Sequence, residues 1–207
     1  MDEKGLPETE PQRKIIDATI ECIERVGLQG VTVRKIAEEA GVNIAAINYY
    51  FRSKDLLVER AMEQTLHNIF DDWYEWLADP NADLHAVLYR MLEEVIVGSI
   101  RYPGISRAHL FAILVEQKTD TPFTVRFRKF LSDLQRIIAA AHPSASDRMI
   151  QNALRQLFSA AFFPSLVPAV FFADTPPSAM LDQDERQTYI QLILDSFFAA
   201  LESDGAQ

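Results

Sequence analysis

An all-α fold is what this chain of 207 residues predicts, on three observations. Apolar residues recur at helical spacing along most of its length, as at Leu66, Ile69, Phe70, Trp73 and Leu77. Glycine is scarce, with 7 in all, and runs of β-branched residues are few, so little favours strands. Between Thr32 and Phe51, the segment TVRKIAEEAGVNIAAINYYF reads as two short helices around one tight turn, a helix-turn-helix. The periodic segments add up to about nine helices. They divide into a three-helix N-terminal unit over 10–57 and a helical unit over 58–203.

Each element has a local reason. The first helix, RKIIDATIECIERVG from Arg13 to Gly27, places Ile16, Ile20 and Ile23 on one stripe. Cys22 beside Ile23 is expected as a buried small hydrophobe, and a single cysteine excludes an internal disulfide framework. Val33, Ile36, Ala37 and Ala40 form one apolar face of the second helix, with Thr32 as its N-cap. Gly41 follows, where a sharp reversal calls for positive φ. Asn43 caps the third helix, whose buried edge is Ile47 with Tyr50 and Phe51. Ser53 caps a long fourth helix over 54–77, and ADPNAD at 78–83 is a turn. A fifth helix runs from Leu84 to Arg101, and Pro103 opens a sixth that reaches Gln117. The seventh starts at Thr121–Pro122 and ends near His142; Ser144 or Ser146 caps an eighth over 147–163. Pro164 and Pro168 should end or kink that helix, because proline lacks the N–H and crowds the preceding turn. A loop at 173–182, a last helix from Gln183 to Glu202 and a frayed tail complete the chain.

From Arg13 to Leu57 the chain resembles the DNA-binding domain of the TetR family of transcriptional regulators. The likeness is carried by Gly27, Val31, Thr32, Val33, Ile36, Ala37, Ala40, Gly41 and Val42, by Tyr50–Phe51, and by Ser53–Lys54–Asp55–Leu56 at the start of the fourth helix. Two positions depart from the family's pattern: Asn48 stands where Tyr is usual, and Tyr50 where His is common. The resemblance implies a ligand-responsive regulator, most often a repressor, whose homodimer leaves a palindromic operator when an effector binds. It also implies DNA contacts at Val33, Arg34, Ile44, Ala45, Ala46, Asn48, Tyr49, Tyr50 and Lys54. Side-chain chemistry divides these roles. Thr32, Tyr49, Tyr50 and Lys54 suit phosphate, which fixes register without reading sequence. Asn48 can pair bidentately with adenine, Arg34 with guanine, while Ile44, Ala45 and Ala46 offer contact to thymine methyls.

The rest of the chain carries no catalytic signature but is rich in Phe. The family resemblance places an apolar effector pocket within helices four to eight, and rigid aromatic side chains line such cavities at low entropic cost. The expected lining is His67, Phe70, Trp73, Glu94, His109, Phe111, Phe158 and Phe162, for a small apolar or aromatic effector. Glu116 and Gln117 are further polar groups able to orient it. Leu154, Leu157 and Ala161 form one apolar band; Ile190, Ile193, Leu194, Phe197 and Leu201 form another. Both bands can bury within one chain; the resemblance implies that they pair with a second copy as a four-helix bundle.

Charge and motifs set the limits. The net charge is −10, and through Leu57 eight Lys and Arg face ten Asp and Glu, leaving −8 for the remainder. An acidic bulk repels nucleic acid in general, whereas Val31 to Lys54 is locally basic, which suits a site-specific binder rather than a coating protein. No GxSxG, Gly-rich phosphate loop, HExxH or CxxC occurs, and the acidic pairs Glu38–Glu39 and Glu93–Glu94 diverge on a helix. Neither an enzyme nor a metal or other cofactor is expected. The polar, acidic N-terminus is no signal peptide and no apolar run approaches the ~20 residues of a span, so a soluble cytoplasmic protein without membrane contact is expected. The competing reading is a helical adaptor that uses the hairpin for protein contacts alone.

Overall fold

The computed structural model of the chain describes residues 9–79, 81–171 and 180–204. Those residues form ten α-helices and no strand: α1 (Glu10–Val26), α2 (Val33–Ala40), α3 (Ile44–Tyr50), α4 (Lys54–Ala78), α5 (Leu84–Arg101), α6 (Pro103–Leu114), α7 (Pro122–Ala141), α8 (Asp147–Leu166), α9 (Pro168–Phe171) and α10 (Gln183–Asp204). A 3-10 turn at Leu28–Gly30 links α1 to α2.

The helix starts follow side-chain caps read from the sequence. Thr32 Oγ1 accepts from Lys35 N at 3.2 Å, Asn43 Oδ1 from Ala46 N at 2.7 Å and Ser53 Oγ from Leu56 N at 3.2 Å. Of the two candidates for α8 it is Ser146 that caps, accepting from Met149 N. Gly41 sits in the left-handed region, φ 62° and ψ 36°, and turns α2 into α3.

Two helices end elsewhere than expected. The sixth helix stops at Leu114 rather than Gln117, where Gln117 takes a positive φ of 55°. Pro164 does not end the eighth helix, which runs on to Leu166. Proline at that position removes the N–H that would bond the Ala160 carbonyl. Tyr189 of α10 donates its hydroxyl to that same oxygen at 2.7 Å, so the freed acceptor is satisfied by a neighbouring helix. Of the expected 173–182 loop only the last three residues are described, and Met180 there is buried; the tail beyond Asp204 lies outside the described residues.

Packing separates two apolar cores. The first gathers Ile15, Ile16, Cys22 and Ile23 of α1, Val31, Ile36, Ala37 and Ala40, Ile47 of α3, Leu57 and Ala61 of α4, and Ile105 and Ala108 of α6. It thus extends past residue 57 onto two later helices. The second core joins α4, α5, α7, α8 and α10 around Trp73 and Phe130, both fully buried. Helix α4 serves both: Leu57 and Ala61 at one end, Leu66, Phe70 and Trp73 at the other. No helix among the described residues is long and apolar enough to cross a membrane.

Candidate functional site

Helix α3 buries one side chain, Ile47, which anchors it to α1 and α2. Its other residues turn outward because seven residues leave room for a single inward stripe. Ile44 is 46% exposed and Tyr49 83%, Ala45 and Asn48 are exposed, and Ala46 is half-buried. Tyr50 differs from its neighbours, since its ring packs on the N-terminal core and meets Tyr49 edge-on, 5.0 Å between centroids. The outward strip is therefore small, mostly uncharged and continuous, a shape that fits base edges in a major groove.

Groups suited to phosphate flank the strip. Thr32 is exposed; its oxygen is held by the cap, which leaves the hydroxyl proton to donate. Arg34 is exposed and paired with Glu38 at 2.9 Å, a solvent-screened contact that costs little to exchange for another anion. Lys54 opens α4 with its amine half exposed, 3.8 Å from Asp55. Val33 is half-buried at the start of α2. Arg52, exposed in the loop between α3 and α4, is a further cation beside the strip that the sequence reading left unassigned.

A cavity of about 520 Å³ opens between the two cores, walled by α1, α4, α5, α6, α7 and α8. Phe70, Trp73, Glu94, His109 and Phe162 line it, joined by Phe123 of α7, Leu166 of α8 and Tyr102, the N-cap residue of α6. Three expected lining residues do not. His67 is on the outer side of α4, its Nε2 3.1 Å from Asp71 Oδ2. Phe111 falls off the stripe of α6 that faces the cavity, which is Ile105, Ser106, His109 and Leu110, continued by the N-cap Tyr102. Phe158 stands behind the wall, 5.8 Å from Trp73 and 5.2 Å from Phe127 between ring centroids. Glu116 and Gln117 are exposed beyond the end of α6 and also lie outside. The wall includes two α1 residues, Ile20 and Glu21, so the cavity touches the N-terminal unit directly.

Polar groups in the wall are held in defined states. Trp73 Nε1 donates to Glu94 Oε2 at 2.6 Å, and burial raises the Glu94 carboxyl above its ordinary range. Thr65 Oγ1 gives its proton to the Met62 carbonyl at 2.8 Å, so His109 Nε2, 2.8 Å from the same oxygen, is the donor. Burial pushes the His109 imidazole from 6.5 down to about 4 and keeps it neutral at pH 7. The unfolded chain binds a proton there that the folded chain refuses. Stability from this group is therefore complete above pH 6.5 and is lost as the pH falls through 6.5 toward 4. Thermal unfolding measured across that window should show the decline, and His109→Gln should flatten it.

Leu154, Leu157, Ala161, Ile190, Ile193, Leu194, Phe197 and Leu201 do not form an outer pairing surface. All eight are buried in the C-terminal core of their own chain, because α8 and α10 pack against each other and against α5. The outer side of this helix pair carries Gln156, whose amide reaches Ser196 Oγ at 3.4 Å, and Leu192, which is 65% exposed.

Residues 15–61 match the family profile described as "Bacterial regulatory proteins, tetR family". The HTH-type transcriptional regulator BetI 1 of Chromohalobacter salexigens is 45% identical over 60 residues, 29% of this chain and 30% of that protein. BetI of Vibrio campbellii is 37% identical over 86 residues, 41% of this chain and 42% of that protein. The chain thus matches less than half the length of either relative. Among solved structures, a TetR-family regulator described as putative, from Mesorhizobium loti, aligns over 93% of this chain and 98% of its own with a TM-score of 0.69 at 16% identity. A TetR-like regulator from Rhodococcus sp. RHA1 aligns over 95% and 98% with a TM-score of 0.62 at 16% identity. At such identities the structures speak for the fold alone.

Proposed function

We propose that the protein is a regulator of the TetR family, a repressor that leaves a palindromic operator when a small, largely apolar ligand fills the central cavity. The observation that carries the reading is the outward strip of α3, where Ile47 alone is buried and Ile44, Ala45, Asn48 and Tyr49 face solvent. A helix presented in this way reads base edges, while Thr32, Tyr49, Tyr50, Lys54 and the added Arg52 meet phosphate on either side. Arg34 exchanges Glu38 for a guanine in the groove, and a dimer brings two such helices to half-sites one DNA turn apart. The second copy docks on the outer side of α8 and α10, at Leu192, Gln156 and Ser196, in place of the bands that are buried inside the chain.

Release follows from where the cavity lies. A ligand touches Ile20 and Glu21 of α1 together with α4 and α6, the two later helices that complete the N-terminal core. It favours the arrangement in which these helices sit apart, and the two readers then miss adjacent grooves. Each tenfold loss of operator affinity requires about 1.4 kcal/mol tighter binding to the DNA-incompetent state. In equilibrium titrations against the duplex flanking its own gene, Asn48→Ala should cost about 1–3 kcal/mol and relax preference at one base pair per half-site. A loss spread evenly over all sequences would make Asn48 a backbone contact instead.

A further inference from the structure

We propose that the ligand of the central cavity is a lipophilic monocation, its charge held at Glu94 and its body stacked among Phe70, Trp73, Phe123 and Phe162. This deepens the reading of the cavity as a ligand site and rests on it. One oxygen of Glu94 is taken by Trp73; the other has no partner among the described residues, in a wall that is otherwise largely apolar. A carboxylate accepts at about four lone-pair sites, so most of its capacity stays unused here. No cation among the described residues of the wall bonds it. His109 is neutral and already bonded to Thr65, and the charges close enough to act on Glu94 are Asp72, which opposes ionisation, and Arg90, which favours it. Arg90 is committed elsewhere, lying over the Trp76 ring at 4.1 Å. Glu21 and Arg101 also line the wall, both exposed, and neither is among the charges that act on Glu94.

Each ligand class meets this wall differently. An anion is repelled by Glu94, and a neutral arene leaves a desolvated carboxylate uncompensated. A cation with an apolar body relieves that cost and gains the negative faces of the surrounding rings. The volume of about 520 Å³ admits a body of three or four rings.

The test uses the full chain and three probes of related shape: tetraphenylphosphonium, neutral triphenylmethanol and anionic tetraphenylborate, titrated by calorimetry. The phosphonium should bind about tenfold or more tightly than the alcohol, with the borate weakest. Glu94→Gln should bring the phosphonium down to the alcohol while the alcohol keeps its wild-type affinity; Glu94→Asp, which retains the charge, should keep the preference. Equal binding of phosphonium and alcohol to the wild-type protein overturns the monocation while leaving the cavity a ligand site. So does an unchanged preference in Glu94→Gln, or loss of the alcohol in both variants, which would make Glu94 a wall element only. Failure of all three probes to bind removes the cavity reading together with the inference.

Discussion

Trp73→Ala should destabilise the protein by about 3–5 kcal/mol, the range for deleting a large aromatic from a packed core. Trp73 is 1% exposed, and its ring meets Phe130 at 4.9 Å, Phe70 at 5.4 Å and Phe158 at 5.8 Å between centroids. Every one of these rings loses a partner, and the void opens beside a cavity that is already large. The truncation also strips Glu94 of its indole donor, leaving a half-buried carboxylate with no hydrogen-bond partner among the described residues. Trp73→Phe retains most of the packing and should fall between the wild type and alanine. Urea unfolding measures both. A loss below about 1 kcal/mol for alanine would mean the C-terminal core does not depend on this cluster.

Gly104→Ala should cost about 1–3 kcal/mol and weaken the link between cavity and reader. A Cβ at Gly104 would stand 2.5 Å from the Glu24 carbonyl oxygen, 2.7 Å from its Cα and 2.9 Å from its carbonyl carbon. These are backbone atoms and cannot swing aside, so α6 must withdraw from α1. The withdrawal breaks the hydrogen bond from Ile105 N to Glu24 Oε2 at 3.0 Å, across which the side chain of α1 caps the start of α6. Since α6 carries Ile105 and Ala108 into the N-terminal core and His109 into the cavity wall, its displacement should lower operator affinity without ligand present. Gly98→Ala is the contrast: nothing lies within 4 Å of its added Cβ, and it should be neutral or slightly stabilising. Paired stability and operator titrations on the two variants separate close approach from glycine content.

What could be read from the residues alone was what local chemistry decides. Thr32, Asn43, Ser53 and Gly41 act within four residues of themselves, and the structure places each cap and the left-handed turn where their chemistry requires. The outward strip of α3 was legible for the same reason, because seven residues with one buried Ile47 allow few alternatives. Helix partners were not legible. The bands at Leu154–Ala161 and Ile190–Leu201 announce burial but not against what, and within the chain they meet each other and α5. Pro164 reads as a breaker until Tyr189 arrives from another helix to take the Ala160 carbonyl. The cavity depends on the same kind of distant meeting. His67 and His109 look alike as isolated polar residues on amphipathic helices, yet only His109 faces inward, and nothing near Ile20 or Glu21 suggests they share a wall with it.

In the proposed function the solvent-facing residues of α3 read duplex DNA as a symmetric pair. Selection of bound duplexes from a random library by the full protein tests it most directly. The enriched pool should hold a two-fold symmetric sequence with half-site centres about 10 base pairs, or a multiple of one turn, apart. Asn48→Ala should flatten one position in each half. A pool with no symmetric enrichment, or one that Asn48→Ala and Tyr49→Ala leave unchanged, would contradict recognition through this helix.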